Sequence, residues 1–205
     1  MSINQHLNWR YATKRYNGQT IPESSLNDIL ESIRLTPTSL GIQPFHVFVI
    51  ENKELREQLK PALNNQPQSI EASHIVVFAS WKSVTESKVD DYMALIAETR
   101  GVAVESLTGF RSMVLGYLSK QSPEEIQLWA SKQTYIALGT AMVSAASQQI
   151  ADLVEHDLYY NKSEKNLRET ISTLNSLMFQ TSEVTGLPRF RISKNCPEII
   201  RQIKT

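Results

Sequence analysis

The stretch SPEEIQLWASKQTYIALGTAMVSAASQQI, residues 122–150, carries the clearest structural signal in this 205-residue sequence. It opens with a capping box, in which Ser122 is followed three residues later by Glu125, and Pro123 takes the first helical position. A helical pattern then continues to the end of the stretch. Its second half, 137–146, is rich in small residues, which let helix backbones approach closely. We therefore predict a long central helix that packs on all sides or against a partner subunit.

The residues on either side of this helix show further helix and strand patterns. Thr20–Glu23 reads as a second capping box, and the helical spacing of apolar residues over Leu26–Ile33 predicts a helix that Pro37 ends. Two apolar, β-branched runs, Phe45–Ile50 and Ile75–Phe78, predict buried strands. The other predicted elements are helices over Glu54–Leu63, Lys88–Thr99 and Glu164–Leu177 and an extended segment over Leu187–Ile192. Few strands among many helices indicate an α+β fold, whose strand order the sequence does not reveal.

The composition indicates a soluble protein with one domain over residues 1–205. The sequence is 41% hydrophobic and 20% charged, and its 21 Lys+Arg residues equal its 21 Asp+Glu residues. This balance gives no global field that favours nucleic acid or an anionic membrane. The single cysteine, Cys196, cannot form an intrachain disulfide, and Met1–Arg10 lacks the apolar run of a signal peptide. The apolar runs are also too short to span a bilayer, so we expect a cytoplasmic protein.

Four polar clusters are candidates for chemistry. Arg10–Lys14 holds two cations, Pro37–Pro44 is a loop between a helix and a strand, and Asn65–Gln68 places amides just before a strand. In the fourth cluster, Arg189 and Arg191 lie on the same side if their segment is extended. Each cluster also has an ordinary explanation, as a solvated face, a connecting loop or a polar surface. The residues alone therefore predict an α+β domain with a candidate anion site.

Other catalytic arrangements find little support in the sequence. His46 and His74 each adjoin an apolar strand, where a histidine is more often structural than catalytic. The sequence has no Ser-His-Asp order, no cluster with metal-ligand spacing, and no phosphate-binding loop among its seven glycines.

Three of the clusters resemble motifs of the FMN-dependent nitroreductase family. Arg10–Lys14 is similar to its R-x-S-x-[KR] motif, with Ala12 in place of the serine. Pro37–His46 resembles the loop P-[ST]-S-x-x-x-Q-P-[WFY], and Asn65–His74 matches N-Q-x-Q-x-x-x-A-S-H. The segments Tyr92–Gly101, 122–150 and 187–191 also follow in the family's order. The resemblance extends over about three quarters of the chain.

This resemblance implies both a fold and an activity. The fold would have a central, mostly antiparallel sheet flanked by helices, in an intertwined homodimer. The cofactor would be FMN, and electrons would pass from NAD(P)H to nitroaromatics, quinones or similar small acceptors by a ping-pong mechanism. No side chain would be needed as an acid or base, no metal is implied, and the NADH or NADPH preference stays open.

The resemblance also assigns roles to residues of this sequence. Arg10, Arg189 and Arg191 would bind the FMN phosphate, because guanidinium groups make charge-assisted, often bidentate bonds to its oxygens. Lys14 would face the N1/O2 edge of the flavin and stabilise its reduced, anionic form. The other cofactor contacts implied are Tyr11, Ala12, Asn65 and Gln68, with Thr38, Ser39 and Leu40 supplied by the partner subunit. Phe110 and Tyr117 are candidates for the wall of the acceptor cleft.

One segment, 151–186, departs from the family pattern. The family has a Pro-x-Glu-Gly loop near flavin N5, whereas 151–186 contains no proline and only Gly186. Two interpretations are open. In the first, the segment is a helical variant in which Glu155 or His156 replaces that contact. In the second, the protein keeps the fold with altered activity. The return of the paired arginines after this segment favours the first interpretation. The alternatives to an enzyme are a non-enzymatic flavin-binding protein and a helical interaction module without a cofactor.

Overall fold

A computed structural model describes residues 2–152 and 200–203 of the chain. The elements in these ranges are helices and strands arranged around a small sheet. Their bounds are α1 Ile3–Trp9, α2 Glu23–Arg34, β1 Phe45–Ile50, α3 Lys53–Leu59, α4 Gln68–Glu71, β2 Ile75–Ser80, α5 Glu86–Arg100, α6 Thr108–Leu118, α7 Pro123–Ser147 and β3 Ile200–Ile203. The helix predicted over Glu164–Leu177 and the extended segment with Arg189 and Arg191 lie outside the described residues.

The sheet has the strand order β2-β1-β3, with β1 in the centre. The pair β1–β2 is antiparallel and runs from Phe45 opposite Ser80 to Ile50 opposite Ile75. Strand β3 joins the other edge of β1 in parallel, with Val47 opposite Ile200. The predicted α+β class and the two predicted strands are confirmed, whereas β3 was not predicted.

The main core lies between α2, the sheet and α7. The apolar face predicted for α2 is buried and packs against β1 and the alanines of α7. Its members are Leu26, Ile29, Leu30, Ile33, Phe45, Val47, Val49, Ala137, Ala141 and Ala145. Because α7 presents methyl groups here, its backbone can approach the sheet closely. Ile33 is fully buried, so truncation to alanine should cost about 2–5 kcal/mol.

The predicted capping box of α7 is confirmed. Ser122 Oγ accepts a hydrogen bond from the Glu125 N–H at 3.2 Å, and Glu125 Oε2 accepts one from the Ser122 N–H at 2.7 Å. The helix ends at Ser147, three residues before the predicted end, because Gln149 adopts a left-handed conformation with φ of 56°. The helix is not packed on all sides of the described structure, since Ile136 is 45% exposed.

The predicted start of one helix was wrong, and Pro61 shortens another, as its position in the sequence suggests. Helix α2 begins at Glu23 with Pro22 as its N-cap and receives no side-chain cap, so Thr20 does not form a capping box. Ile21, which lies between Thr20 and Pro22, instead donates its N–H to Ser73 Oγ at 3.0 Å. The helix predicted over Glu54–Leu63 is interrupted, since α3 ends at Leu59 and a 3₁₀ turn containing Pro61 follows. Within residues 2–152 and 200–203, none of the helices combines the length and apolar character that crossing a membrane requires.

Candidate functional site

The segment after α1 is fixed at its first residue by a bidentate ion pair. Arg10 Nε donates to Asp152 Oδ2 at 3.0 Å, and Arg10 Nη2 donates to Asp152 Oδ1 at 2.5 Å. The main chain reinforces this contact, because Ala12 forms a β-bridge with Asp152 and the Thr13 N–H donates to the Asp152 carbonyl at 3.3 Å. Arg10–Thr13 therefore runs beside the residues that follow α7.

The other end of the same segment is tied to α4. Arg15 Nη2 lies 2.5 Å from Glu71 Oε1, and the Tyr16 N–H donates to Glu71 Oε2 at 3.0 Å. Glu71 ends the one-turn helix that Gln68 begins. The structure thus joins Arg15 and Tyr16, the residues that follow the cluster Arg10–Lys14, to the helix that begins at Gln68, the last residue of the cluster Asn65–Gln68.

Two buried polar atoms occur in this pair of clusters. Thr13 is 6% exposed and Gln68 is 8% exposed. Within the part of the chain that the structure describes, Thr13 Oγ1 and Gln68 Oε1 have no hydrogen-bond partner. Burying a polar atom without a partner is unfavourable, so such atoms are typical of a site that binds a polar ligand. Lys14 lies between these anchors, is exposed, and supplies a positive charge.

The ion pair at Arg10 sets the electrostatics of this region. Burial raises the pKa of Asp152, and Arg10 opposes that increase. Burial also raises the pKa of Tyr16 to about 12; the charge of Asp152 adds to the effect and that of Arg10 opposes it. Arg10 uses two donors on Asp152 and has five, so it can bind an anion while the pair is intact. The carboxylate of Asp152 nevertheless offsets the positive charge of Arg10.

The amide cluster has a structural explanation beside the functional one. Asn64 and Asn65 both lie in the left-handed region, with φ of 54° and 55°. Asparagine is among the few residues that tolerate this region, and the Asn65 N–H donates to the Lys60 carbonyl at 3.0 Å. The Asn65 side chain is exposed and available to a ligand, whereas Gln68 is buried.

The loop between α2 and β1 contacts α5 and α7. The Ser39 N–H donates to Gln133 Oε1 at 2.9 Å, and the Tyr92 hydroxyl donates to the Leu40 carbonyl at 3.1 Å. Within the loop, the Gln43 N–H donates to Thr38 Oγ1 at 3.3 Å. Sequence reasoning named the loop residues but missed Gln133 and Tyr92. A usable signal for Gln133 was its position as a polar residue on the alanine-rich face of α7.

The remaining sequence candidates lie at different depths. Tyr11 is 67% exposed, and Ala12 is exposed beside Asp152. The Phe110 ring packs edge-on against Tyr92 with centroids 6.3 Å apart, so it is connected through Tyr92 to the loop. Tyr117 is 37% exposed, and its ring lies 6.1 Å from that of Trp129.

Comparisons with known proteins identify similar sequences. The family model described as the nitroreductase family matches residues 7–169. A Staphylococcus saprophyticus protein named "Putative NAD(P)H nitroreductase" is 38% identical over 146 residues, which are 68% of this chain and 66% of that protein. A Staphylococcus aureus protein of the same name is 31% identical over 153 residues, covering 71% of this chain and 67% of its own length.

Solved structures show the same fold at low sequence identity. A nitroreductase-like protein from Streptococcus mutans matches with a TM-score of 0.69 and 16% identity, over 86% of this chain and 83% of that one. A protein from Exiguobacterium sibiricum, described as a putative nitroreductase in complex with FMN, matches with a TM-score of 0.60 and 18% identity, over 72% and 70% of the two chains. The chain therefore has the fold of these proteins.

Proposed function

This chain belongs to the nitroreductase family, and we propose that it is an FMN-dependent oxidoreductase that passes electrons from NAD(P)H to nitroaromatics, quinones or similar small acceptors. The carrying observation is the link between Arg15 and Glu71, which ties the segment with exposed Lys14 to the helix that begins at Gln68. Among the residues that the structure describes, the buried Thr13 Oγ1 and Gln68 Oε1 have no hydrogen-bond partner. A cation and polar atoms that can take up a ligand's hydrogen bonds would suit the polar edge of a flavin, which becomes negative on reduction.

In this proposal, different candidate residues bind different parts of FMN. Bound FMN supplies the two-electron chemistry that amino-acid side chains lack. Lys14 would stabilise the negative charge that develops at the N1/O2 edge, and Asn65 and Gln68 would hydrogen-bond the ring edge and the ribityl chain. Arg10 would share the phosphate with Arg189 and Arg191, which lie outside the described residues.

A homodimer with a shared flavin site is part of this proposal. Leu128, Tyr135 and Ile136 lie on one face of α7 and are 56%, 39% and 45% exposed. An exposed apolar face of this kind is typical of a protein interface. The loop carrying Ser39 contacts α7 through Gln133, which lies on the buried face of the helix one turn before Ile136. In this proposal the loop reaches across to a second subunit whose α7 packs against the exposed apolar face.

Oligomeric state can be tested separately from chemistry. Light scattering coupled to size-exclusion chromatography should give twice the chain mass for the wild type and the chain mass for Ile136→Lys. The control substitution Lys120→Gln changes an exposed residue after α6 and should leave the dimer intact. A monomeric wild-type protein would refute the shared site.

The activity is tested by the visible spectrum of the purified protein before and after NADH and NADPH are added separately. We expect a flavin spectrum that bleaches with at least one reductant and returns when a quinone is added. Lys14→Gln should slow the bleaching, whereas Lys120→Gln should not. A colourless protein that neither binds added FMN nor oxidises NAD(P)H would refute the proposal. Stoichiometric FMN without turnover would instead identify a non-enzymatic flavin-binding protein.

A further inference from the structure

The loop between α2 and β1 has an unfavourable backbone conformation. Leu40, Gly41 and Gln43 all lie in the left-handed region, with φ of 60°, 70° and 44°. For leucine and glutamine this region is costly, because Cβ approaches the neighbouring carbonyl group. Such a backbone persists only where surrounding contacts determine it, so those contacts identify the residues that control the loop.

Gln133 is the first of these residues. It is 4% exposed, on the buried face of α7. Its Nε2 donates to the Trp129 carbonyl at 2.9 Å, which leaves Oε1 to accept the Ser39 N–H at 2.9 Å. The first bond stays within the helix and fixes the orientation of the amide. The second bond crosses to the loop and fixes the peptide at Ser39.

Tyr92 is the second residue. Its hydroxyl donates to the Leu40 carbonyl at 3.1 Å. It also occupies the space where a side chain at position 41 would lie, since a Cβ on Gly41 would overlap Tyr92 Oη. The Tyr92 ring also packs edge-on against Phe110. Tyr92 therefore joins α5, α6 and the strained part of the loop.

We infer that Gln133 and Tyr92 are positioning residues that hold Thr38–Leu40 in the conformation that contacts FMN across the dimer. This inference rests on the proposed function. The two side chains bind backbone groups of Ser39 and Leu40, and Ser39 remains exposed, so its hydroxyl is accessible to the cofactor. A loop already in its binding conformation spares FMN the cost of ordering it, and apparent affinity falls with the fraction of molecules that leave that conformation.

The test compares two loop-holding variants with two matched controls. Gln133→Leu and Tyr92→Phe each remove one bond to the loop. Thr134→Val and Thr99→Val each remove a hydroxyl whose bond stays within α7 or α5. The measurements on the full-length protein are hydrogen exchange of the peptide covering 36–44 without FMN, the FMN dissociation constant, and the visible band of bound FMN.

We expect loop exchange to accelerate in both loop-holding variants while the controls match the wild type. The dissociation constant for FMN should rise about tenfold in Gln133→Leu and about threefold in Tyr92→Phe, as loss of a buried hydrogen bond implies. The visible band should also shift in these two variants, because the displaced loop exposes the flavin to water. Tyr92→Phe retains the ring packing and keeps the test valid if Gln133→Leu does not fold.

Unchanged FMN affinity and an unchanged flavin band in Tyr92→Phe would overturn the inference, even if loop exchange accelerated, because the residue would then be only structural. Equal loss of affinity in the control variants would overturn it as well. Failure of the proposed function is a separate result, since wild-type protein that binds no FMN is detected before any variant is compared.

Discussion

The substitution Gly41→Ala should destabilise the protein through a clash with one identified hydroxyl. The new Cβ would overlap Tyr92 Oη but would lie 3.5 Å from Tyr92 Cζ, which is ordinary van der Waals contact. The cost should therefore depend on the hydroxyl, not on the aromatic ring. Tyr92→Phe removes the hydroxyl and keeps the ring, so the two substitutions form a double-mutant cycle.

The expected magnitudes follow from the contacts at position 41. A non-glycine residue at φ of 70° costs about 1 kcal/mol. Displacing the Tyr92 hydroxyl from the Leu40 carbonyl costs about 1 kcal/mol more. Gly41→Ala alone should thus cost about 2 kcal/mol and Tyr92→Phe alone about 1 kcal/mol. The double variant should also cost about 2 kcal/mol, because the bond is lost only once, which gives a coupling of about 1 kcal/mol.

Urea unfolding of the FMN-free protein, at one fixed protein concentration, measures all four free energies of unfolding. Gly116→Ala serves as a control, because no atom lies within 4 Å of its new Cβ and it lies inside α6, so it should stabilise by about 0.5–1 kcal/mol. The deciding comparison is the cost of Gly41→Ala in the wild type against its cost in Tyr92→Phe, which lacks the hydroxyl. An equal cost in both backgrounds would show that the hydroxyl does not lie against Gly41.

Three further outcomes are expected. Gln149→Gly should raise the free energy of unfolding by about 0.5–1 kcal/mol because Gln149 has φ of 56°, whereas Gln148→Gly, at φ of −98°, should lower it; calorimetry measures both. The raised pKa of Tyr16, about 12 against an ordinary 10.0, means that its stabilisation is complete below pH 10 and is lost as the pH approaches 12. Unfolding experiments across that range should show a steeper loss for the wild type than for Tyr16→Phe, and parallel curves would contradict this. Lys14→Gln should make the reduction potential of bound FMN more negative, and a potential equal to that of Lys120→Gln would argue against contact between Lys14 and the flavin.

Elements whose signal is local could be predicted from the sequence. The strand Phe45–Ile50 was predicted with its observed bounds, because a β-branched and aromatic run between a proline and a polar segment allows few alternatives. The start of α7 was also correct, since the cap of Ser122 and Glu125 involves only residues three apart. The apparent cap at Thr20 failed because a distant residue, Ser73, binds the adjacent Ile21 N–H.

Features that depend on distant partners could not be predicted. Strand β3 consists of four residues whose pairing partner, β1, lies about 150 positions earlier, and so short a run has no distinctive pattern. The same holds for the candidate site, where Asp152 lies 142 positions from Arg10 and Gln133 lies 94 positions from Ser39. The motifs named candidate residues for chemistry, and the tertiary structure shows which distant residues contact them.

The Arg10–Asp152 pair changes how the phosphate charge would be balanced. The motif at Arg10 suggests a free guanidinium, but the bidentate bond to Asp152 leaves this pair with little net charge. Burial raises the pKa of Asp152, and Arg10 opposes that increase. Arg10 can still donate its remaining N–H groups to a phosphate. These hydrogen bonds would orient the phosphate more than they would neutralise its charge. If FMN binds as proposed, its dianionic phosphate would depend mainly on Arg189 and Arg191 for compensation, and substituting them would weaken FMN binding more than substituting Arg10.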